Sequence, residues 1–155
     1  MFDSFFESGN LDIVIKPKNL EYNLYMRVDT NTKGHHQWFY FSVEHKEHFY
    51  NKTVTFNIMN FTKEQALYNS GMRVVISRKS DGLKCNKGGE NIIYGQSRHI
   101  RRYHSDPFKI KYYYQLSFSY TFTQKEDKVY FSYSYPYTFT KLQQFLKDIS
   151  FLKNP

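Results

Sequence analysis

Cysteine is nearly absent: the 155 residues contain one, Cys85. A lone thiol excludes an internal disulfide framework and fits a reducing compartment. Glycine (7) and proline (4) are also scarce, which excludes collagen-like and low-complexity organisation. No stretch approaches the ~20 consecutive apolar residues of a membrane span. The start, Met1-Phe2-Asp3-Ser4-Phe5-Phe6-Glu7, has neither the basic opening nor the apolar run of a secretory signal. A cytoplasmic protein without a membrane partner is therefore expected, and the glycosylation-type triplets at Asn51 and Asn60 read as chance. No Walker loop, no Gly-x-Gly-x-x-Gly and no Gly-x-Ser-x-Gly elbow occurs, so the common phosphate-cradling and serine-hydrolase signatures are missing.

What the chain has in excess is aromatic side chains. Fifteen Tyr and 15 Phe bring the aromatic share to 20%. Such rings suit pleated, half-buried surfaces. They recur with period two: Tyr22, Leu24 and Met26; Val54, Phe56 and Ile58; Leu116, Phe118, Tyr120 and Phe122 against Ser117, Ser119 and Thr121; then Val129, Phe131 and Tyr133. Period two means one buried face and one solvated face, as in antiparallel sheets. Further strands are expected at Leu11–Lys16, Gln37–Val43, Arg73–Arg78, Ile92–Tyr94 and Phe108–Tyr114. Gln124-Lys125-Glu126-Asp127 separates two strong strands and predicts a hairpin loop. Phe61–Tyr68 predicts a short helical turn closed by Gly71. Residues 79–106, with scattered glycine and charge, predict a long loop.

Near the end, Leu142, Phe145, Leu146, Ile149 and Leu152 recur at helical spacing, and Thr140 with Gln143 forms a capping-box pattern. The expected fold class is all-β: an antiparallel two-sheet β-sandwich of about eight or nine strands, with a C-terminal amphipathic helix. A barrel is the structural alternative. Residues 1–140 form the sandwich and residues 141–155 the helix.

Candidate chemistry is thin. Cys85 would need a partnering His to act as a nucleophile and reads as a plain thiol. His45 and His48 stand three apart, but in a segment joining two strands, and a zinc site needs three or four converging ligands. No His is followed three residues later by Glu. Neither catalytic nor metal-ligating residues are therefore expected in this chain, and no cofactor. Net charge is +8, from 22 basic and 14 acidic residues, which favours acidic partners. Arg98, Arg101 and Arg102, with His104, form a basic cluster interleaved with Ile100 and Tyr103. It is either a solvated loop or an anion contact. The aromatic strands could stack bases or sugars, but at period two core packing accounts for most rings.

Several segments, in order, resemble one known family. Phe6-Glu7-Ser8-Gly9-Asn10-Leu11 is similar to the opening motif of the N-terminal domain of cytosolic carboxypeptidases. Glu21-Tyr22-Asn23-Leu24, Asp29-Thr30-Asn31-Thr32, His35-His36-Gln37-Trp38-Phe39-Tyr40-Phe41, Leu67-Tyr68-Asn69-Ser70-Gly71-Met72 and Tyr135-Pro136-Tyr137-Thr138 continue the likeness. At Lys84-Cys85-Asn86-Lys87-Gly88 the chain departs from it, since the family has a Trp and an Arg before this glycine.

The resemblance implies a non-catalytic accessory domain followed by a zinc-dependent catalytic domain that would begin about where this chain ends. Zinc and all catalytic residues would belong to that second domain. The parent would remove glutamates from protein ends or side chains, notably on tubulin, in the cytoplasm and in association with microtubules. The expected partners are the catalytic domain itself, meeting Tyr135, Pro136, Tyr137 and Thr138, and acidic protein tails such as polyglutamylated tubulin. Arg98, Arg101 and Arg102 would steer those tails. A free-standing basic sandwich binding nucleic acid or carbohydrate is the alternative, with nucleic acid disfavoured.

Overall fold

The computed structural model describes residues 1–32, 34–103 and 106–153, with side chains at 1–32, 34–100 and 110–150. The period-two segments become strands whose apolar faces meet. In chain order these are β1 (Phe2–Asp3), β2 (Leu11–Lys18), β3 (Glu21–Met26), β4 (Tyr40–His45), β5 (Lys52–Phe61), β6 (Val74–Arg78), β7 (Asn86–Gly88), β8 (Glu90–Tyr103), β9 (Asp106–Phe122) and β10 (Asp127–Ser132), followed by the helix α1 (Phe139–Lys153). They form two five-stranded sheets, in the orders β1-β4-β10-β6-β7 and β2-β3-β5-β9-β8. The fold is an all-β sandwich with a terminal helix, as the alternation predicts. Its ladders are antiparallel except for β3 and β5, which run parallel; β4, in the opposite sheet, supplies the crossover between them.

Register aligns the large side chains. Phe56 faces Phe118 and Ile58 faces Leu116 across the β5–β9 ladder. Phe131 faces Phe41 on one side and Ile76 on the other. Between the sheets lie the fully buried rings of Phe39, Phe41, Phe56, Phe61, Phe118, Phe122 and Phe131. The outer face of the second sheet is polar and zipped by side chains: Thr53 to Thr121 at 2.8 Å, Thr55 to Ser119 at 3.2 Å, and Ser117 to Asn57 at 2.7 Å. Asn57 continues this row, donating to Asn23 at 2.9 Å and Glu21 at 3.1 Å.

Several expectations need correction. Residues 79–106 are not a long loop: after a short 3-10 turn (Lys79–Asp81) they form β7 and the 14-residue β8. β8 is an edge strand paired only with β9, with several register shifts. It contains the strand expected at Ile92–Tyr94, where Ile92 and Tyr94 turn toward the core; most of its other described side chains are exposed, so little burial alternation marks the rest. The segment after Phe122 is not a hairpin loop, because β9 and β10 lie in different sheets. Two strands with period-two patterns look the same whether they pair edge to edge or face each other across a core. At the start of β10 Asp127 holds the turn that follows its neighbour β6: its buried carboxylate accepts from Ser80 N at 3.1 Å and Ser80 Oγ at 2.6 Å. The strands expected at Phe108–Tyr114 and Leu116–Phe122 are one continuous strand. Finally, the helix cap is Thr138, not Thr140: Thr138 Oγ1 accepts from Lys141 N at 3.3 Å, so the helix begins at Phe139. The helical turn expected at Phe61–Tyr68 is a 3-10 turn that lies later, at Leu67–Ser70, closed by Gly71 at φ +89° as expected, and Phe61 ends β5.

Phe131 touches Phe41, Phe56, Phe118 and Tyr120 with centroid separations of 5.1–5.7 Å. Truncating it to Ala should cost about 3–5 kcal/mol, the range for a fully buried Phe. Urea denaturation checks this, and a loss below about 1 kcal/mol would contradict the packing.

Candidate domain-docking site

One end of the sandwich is assembled by tight turns and side-chain clamps. Ser8 adopts φ +67°, a left-handed conformation, and Gly9 N donates to Phe6 O at 3.0 Å. A Cβ on Gly9 would lie 2.3 Å from Ser4 O, so only glycine fits. Asn10 follows and acts as a substitute strand. Its backbone N–H donates to Tyr40 O at 3.1 Å, its Oδ1 accepts from Tyr40 N at 2.9 Å, and its Nδ2 donates to Trp38 O at 2.9 Å. Residues 37–39 thus run extended into β4 without a ladder partner of their own. Trp38 Nε1 donates to Ser8 O at 2.8 Å, which fixes the indole against the same turn.

A second turn closes on Thr32, whose Oγ1 donates to Asp29 O at 2.7 Å and accepts from His35 N at 3.2 Å. Where the β3–β5 pairing ends, Asn60 clamps Met26 through Oδ1 at 3.0 Å and Nδ2 at 2.8 Å. After β10, Tyr133 N donates to Phe39 O at 3.0 Å, bringing Ser134–Thr138 to the same end. Between these pieces lies an open cleft of about 530 Å³, with Ser8, Asn10, Asp29, Trp38, Tyr135 and Tyr137 among its walls. It combines three aromatic rings with one carboxylate and contains no nucleophile–base pair.

The helix is tied to this cleft by a contact spanning 133 residues. Glu7 accepts from Thr140 N at 2.8 Å and from Thr140 Oγ1 at 3.1 Å. These bonds, the backbone one foremost, hold the Glu7 carboxyl below its ordinary value of 4.5. A carboxylate at a helix start satisfies orphan N–H groups and complements the helix dipole. Beyond this tether the apolar side of α1 is uncovered: Leu142, Phe145 and Leu146 are exposed, and so are Tyr135, Tyr137 and Phe139.

Of the four residues expected at a domain junction, Tyr135 and Tyr137 line the cleft, Thr138 caps the helix, and Pro136 O accepts from Lys141 Nζ at 3.4 Å. Arg98 is exposed on β8 and does not line the cleft. The backbones of Arg101 and Arg102 pair with Lys111 and Ile110; their side chains, and His104, lie outside the described residues. His45 and His48 both pack on Phe49, with ring centroids at 6.2 and 5.0 Å. Among the described residues no three His, Cys, Asp or Glu side chains are grouped to hold a metal ion. No described helix is long and apolar enough to cross a membrane. Asn10 and Glu7 were not recognised as structural keys. Both lie in a motif singled out in the sequence, yet their partners are far along the chain.

Four of the six segments whose sequences resemble one family, residues 6–11, 29–32, 35–41 and 135–138, meet at the cleft, and residues 2–83 match the cytosolic carboxypeptidase N-terminal domain. The chain belongs to this family. It is 36% identical to cytosolic carboxypeptidase 3 of Bos taurus, a match covering 97% of this chain and 14% of the relative. With cytosolic carboxypeptidase 1 of Homo sapiens identity is 35%, covering 99% of this chain and 13% of the relative. The chain thus spans about a seventh of the length of the curated relatives it matches. Among solved structures, a metallo-carboxypeptidase from Pseudomonas aeruginosa superposes with TM-score 0.57 at 18% identity, over 96% of this chain and 33% of that one. One from Burkholderia cenocepacia gives 0.59 at 16%, over 96% and 32%. These likenesses establish the sandwich as the fold of the cytosolic carboxypeptidase N-terminal domain.

Two outcomes follow from the clamps. Asn10→Ala should cost about 2 kcal/mol, because it strands Trp38 O and Tyr40 N. The single Trp should report it as a red-shifted emission, and unchanged stability would contradict the clamp. Glu7, with a lowered folded pKa, contributes stability that is present above its ordinary value of 4.5 and lost as pH falls through the lower folded value. Helical circular dichroism should therefore decline more in the parent chain than in Glu7→Gln between about pH 6 and about pH 3. Parallel curves would refute the tether.

Proposed function

We propose that this chain is the non-catalytic N-terminal domain of a cytoplasmic zinc carboxypeptidase that removes glutamates from protein ends or side chains, tubulin among them, at microtubules. The observation that carries this reading is the convergence of four of the family-like segments, residues 6–11, 29–32, 35–41 and 135–138, on one cleft beside a helix with an uncovered apolar side. In the proposed arrangement Tyr135, Pro136, Tyr137 and Thr138 meet the catalytic domain, and the exposed side of α1 is covered by it. Aromatic rings such as Tyr135 and Tyr137 are enriched at interfaces, which supports that placement. The rigid sandwich then walls one side of the substrate cleft and restricts which chain ends enter. Zinc, and every group that works on the scissile bond, belongs to the catalytic domain. Positive charge, including exposed Arg98 and its neighbours Arg101 and Arg102, would draw acidic tails toward the cleft.

The test uses the chain with its natural continuation. Glutamate release from a polyglutamate peptide should require zinc and stop on chelation, while the 155-residue chain alone releases none. Tyr137→Ala should lower the melting temperature of the long protein and leave that of the isolated domain unchanged, since Tyr137 is 63% exposed there. No glutamate release by the long protein would overturn the reading of activity. An unchanged melting temperature would overturn the placement of the junction.

A further inference from the structure

Three hollows share residues and form one track along the edge of the first sheet. Ser134 and Tyr135 line the cleft described above. They also line a second hollow of about 440 Å³, together with Met72, Arg73 and Lys87. Lys87 lines a third, of about 350 Å³, with Arg78, Lys84 and Tyr120. No acidic residue lines the second or third hollow, whereas four cations do.

The fold brings Arg73 and Arg78 to Lys84 and Lys87. β7 pairs with β6 and ends its sheet. Gly88 lets it lie close, for a Cβ there would come within 2.6 Å of Ile76 Cδ1. Arg73 is held against the turn after β7, donating to the carbonyls of Gly88 and Gly89. Lys84 and Lys87 are exposed and form no ion pair among the described residues. Arg78 is paired with Asp81, so the free charge of the track rests on Arg73, Lys84 and Lys87.

We propose that this track docks an extended acidic segment of a polypeptide, its carboxylates on Arg73, Lys84 and Lys87 and its main chain along β7. A line of connected hollows suits an extended chain better than a compact anion. β7 ends its sheet, an edge position open to strand addition, and Met72 with Tyr135 offers apolar surface to methylene stems. The inference rests on the substrate class proposed above. Its test uses binding by this chain alone and is independent of any carboxypeptidase activity.

The test is fluorescence anisotropy of a fluorescein-labelled peptide of about ten glutamates, titrated with the 155-residue chain at about 50 mM salt, where screening is weak. Lys84→Gln/Lys87→Gln should raise Kd about three- to tenfold, the yield of two exposed ion pairs. Lys16→Gln, exposed on β2 at the edge of the other sheet and outside the track, should change it less than about twofold. The gap should close toward about 0.5 M salt. Both lysines are exposed, so the variant should keep the parent's unfolding midpoint; Lys87→Glu alone gives a second variant with the same direction of effect. Equal Kd for parent and lysine variants overturns the site. Self-association of the double variant with unchanged peptide binding also overturns it, assigning the lysines to edge protection. Tighter binding of a single-stranded RNA of equal charge through the same lysines overturns it in favour of nucleic acid.

Discussion

Phe131 sits on the middle strand of the first sheet and packs on Phe56 and Phe118 of the second, at 5.1 and 5.7 Å. It also lies 5.3 Å from Phe41 on the neighbouring strand. Dispersion and apolar burial at this node set the separation and alignment of the sheets. They also set where the chain leaves them. Two residues after Phe131, Tyr133 is hydrogen-bonded to Phe39, and the next residues enter the cleft wall. The position of Tyr135 and Tyr137 is thus inherited from a core contact, and so is the start of the helix.

The core and the helix make opposite use of apolar residues. Between the sheets, aromatic side chains are almost wholly enclosed. On α1, a 15-residue segment, Phe145 and Leu146 remain 54% and 49% exposed. Isolated helices of that length are marginal in water. What holds this one is therefore concentrated at its first turn: the Thr138 cap and the Glu7 carboxylate. In the proposed arrangement the catalytic domain covers that apolar side, and burial of those side chains would add the stabilisation that the isolated domain lacks.

Legibility in the sequence followed burial. β3, β5 and β10 alternate because one face of each meets the core, and their period was plain. Of β8 only Ile92–Tyr94, where Ile92 and Tyr94 turn toward the core, was legible; most of its other described side chains are exposed and carry no such pattern. The hairpin after Phe122 failed for a related reason: periodicity records which face is buried, not which strand is the neighbour. Cap position was off by two residues, since Thr138 and Thr140 offer the same hydroxyl and the choice was made by Glu7. Four of the ordered motifs meet at the cleft, but the roles of Asn10 and Glu7 depend on partners 28 to 133 residues away. Charge behaved likewise. Arg98, Arg101 and Arg102 are neighbours in sequence and draw the eye, whereas Arg73 joins Lys84 and Lys87 only after β6 and β7 pair.

Placement of charge also bears on how the two ends of the surface cooperate. The cleft carries one carboxylate, Asp29, among its aromatic walls, while the two hollows beyond Ser134 and Tyr135 carry cations only. A catalytic domain docked on the cleft would bury Tyr135, which belongs to both. That burial would rigidify the near end of the basic track without touching Lys84 or Lys87. It would also lower the local dielectric beside Arg73, strengthening its attraction for a carboxylate. In the proposed arrangement, docking of the domain and capture of an acidic chain are therefore linked through a shared wall: each ordering event lowers the cost of the other.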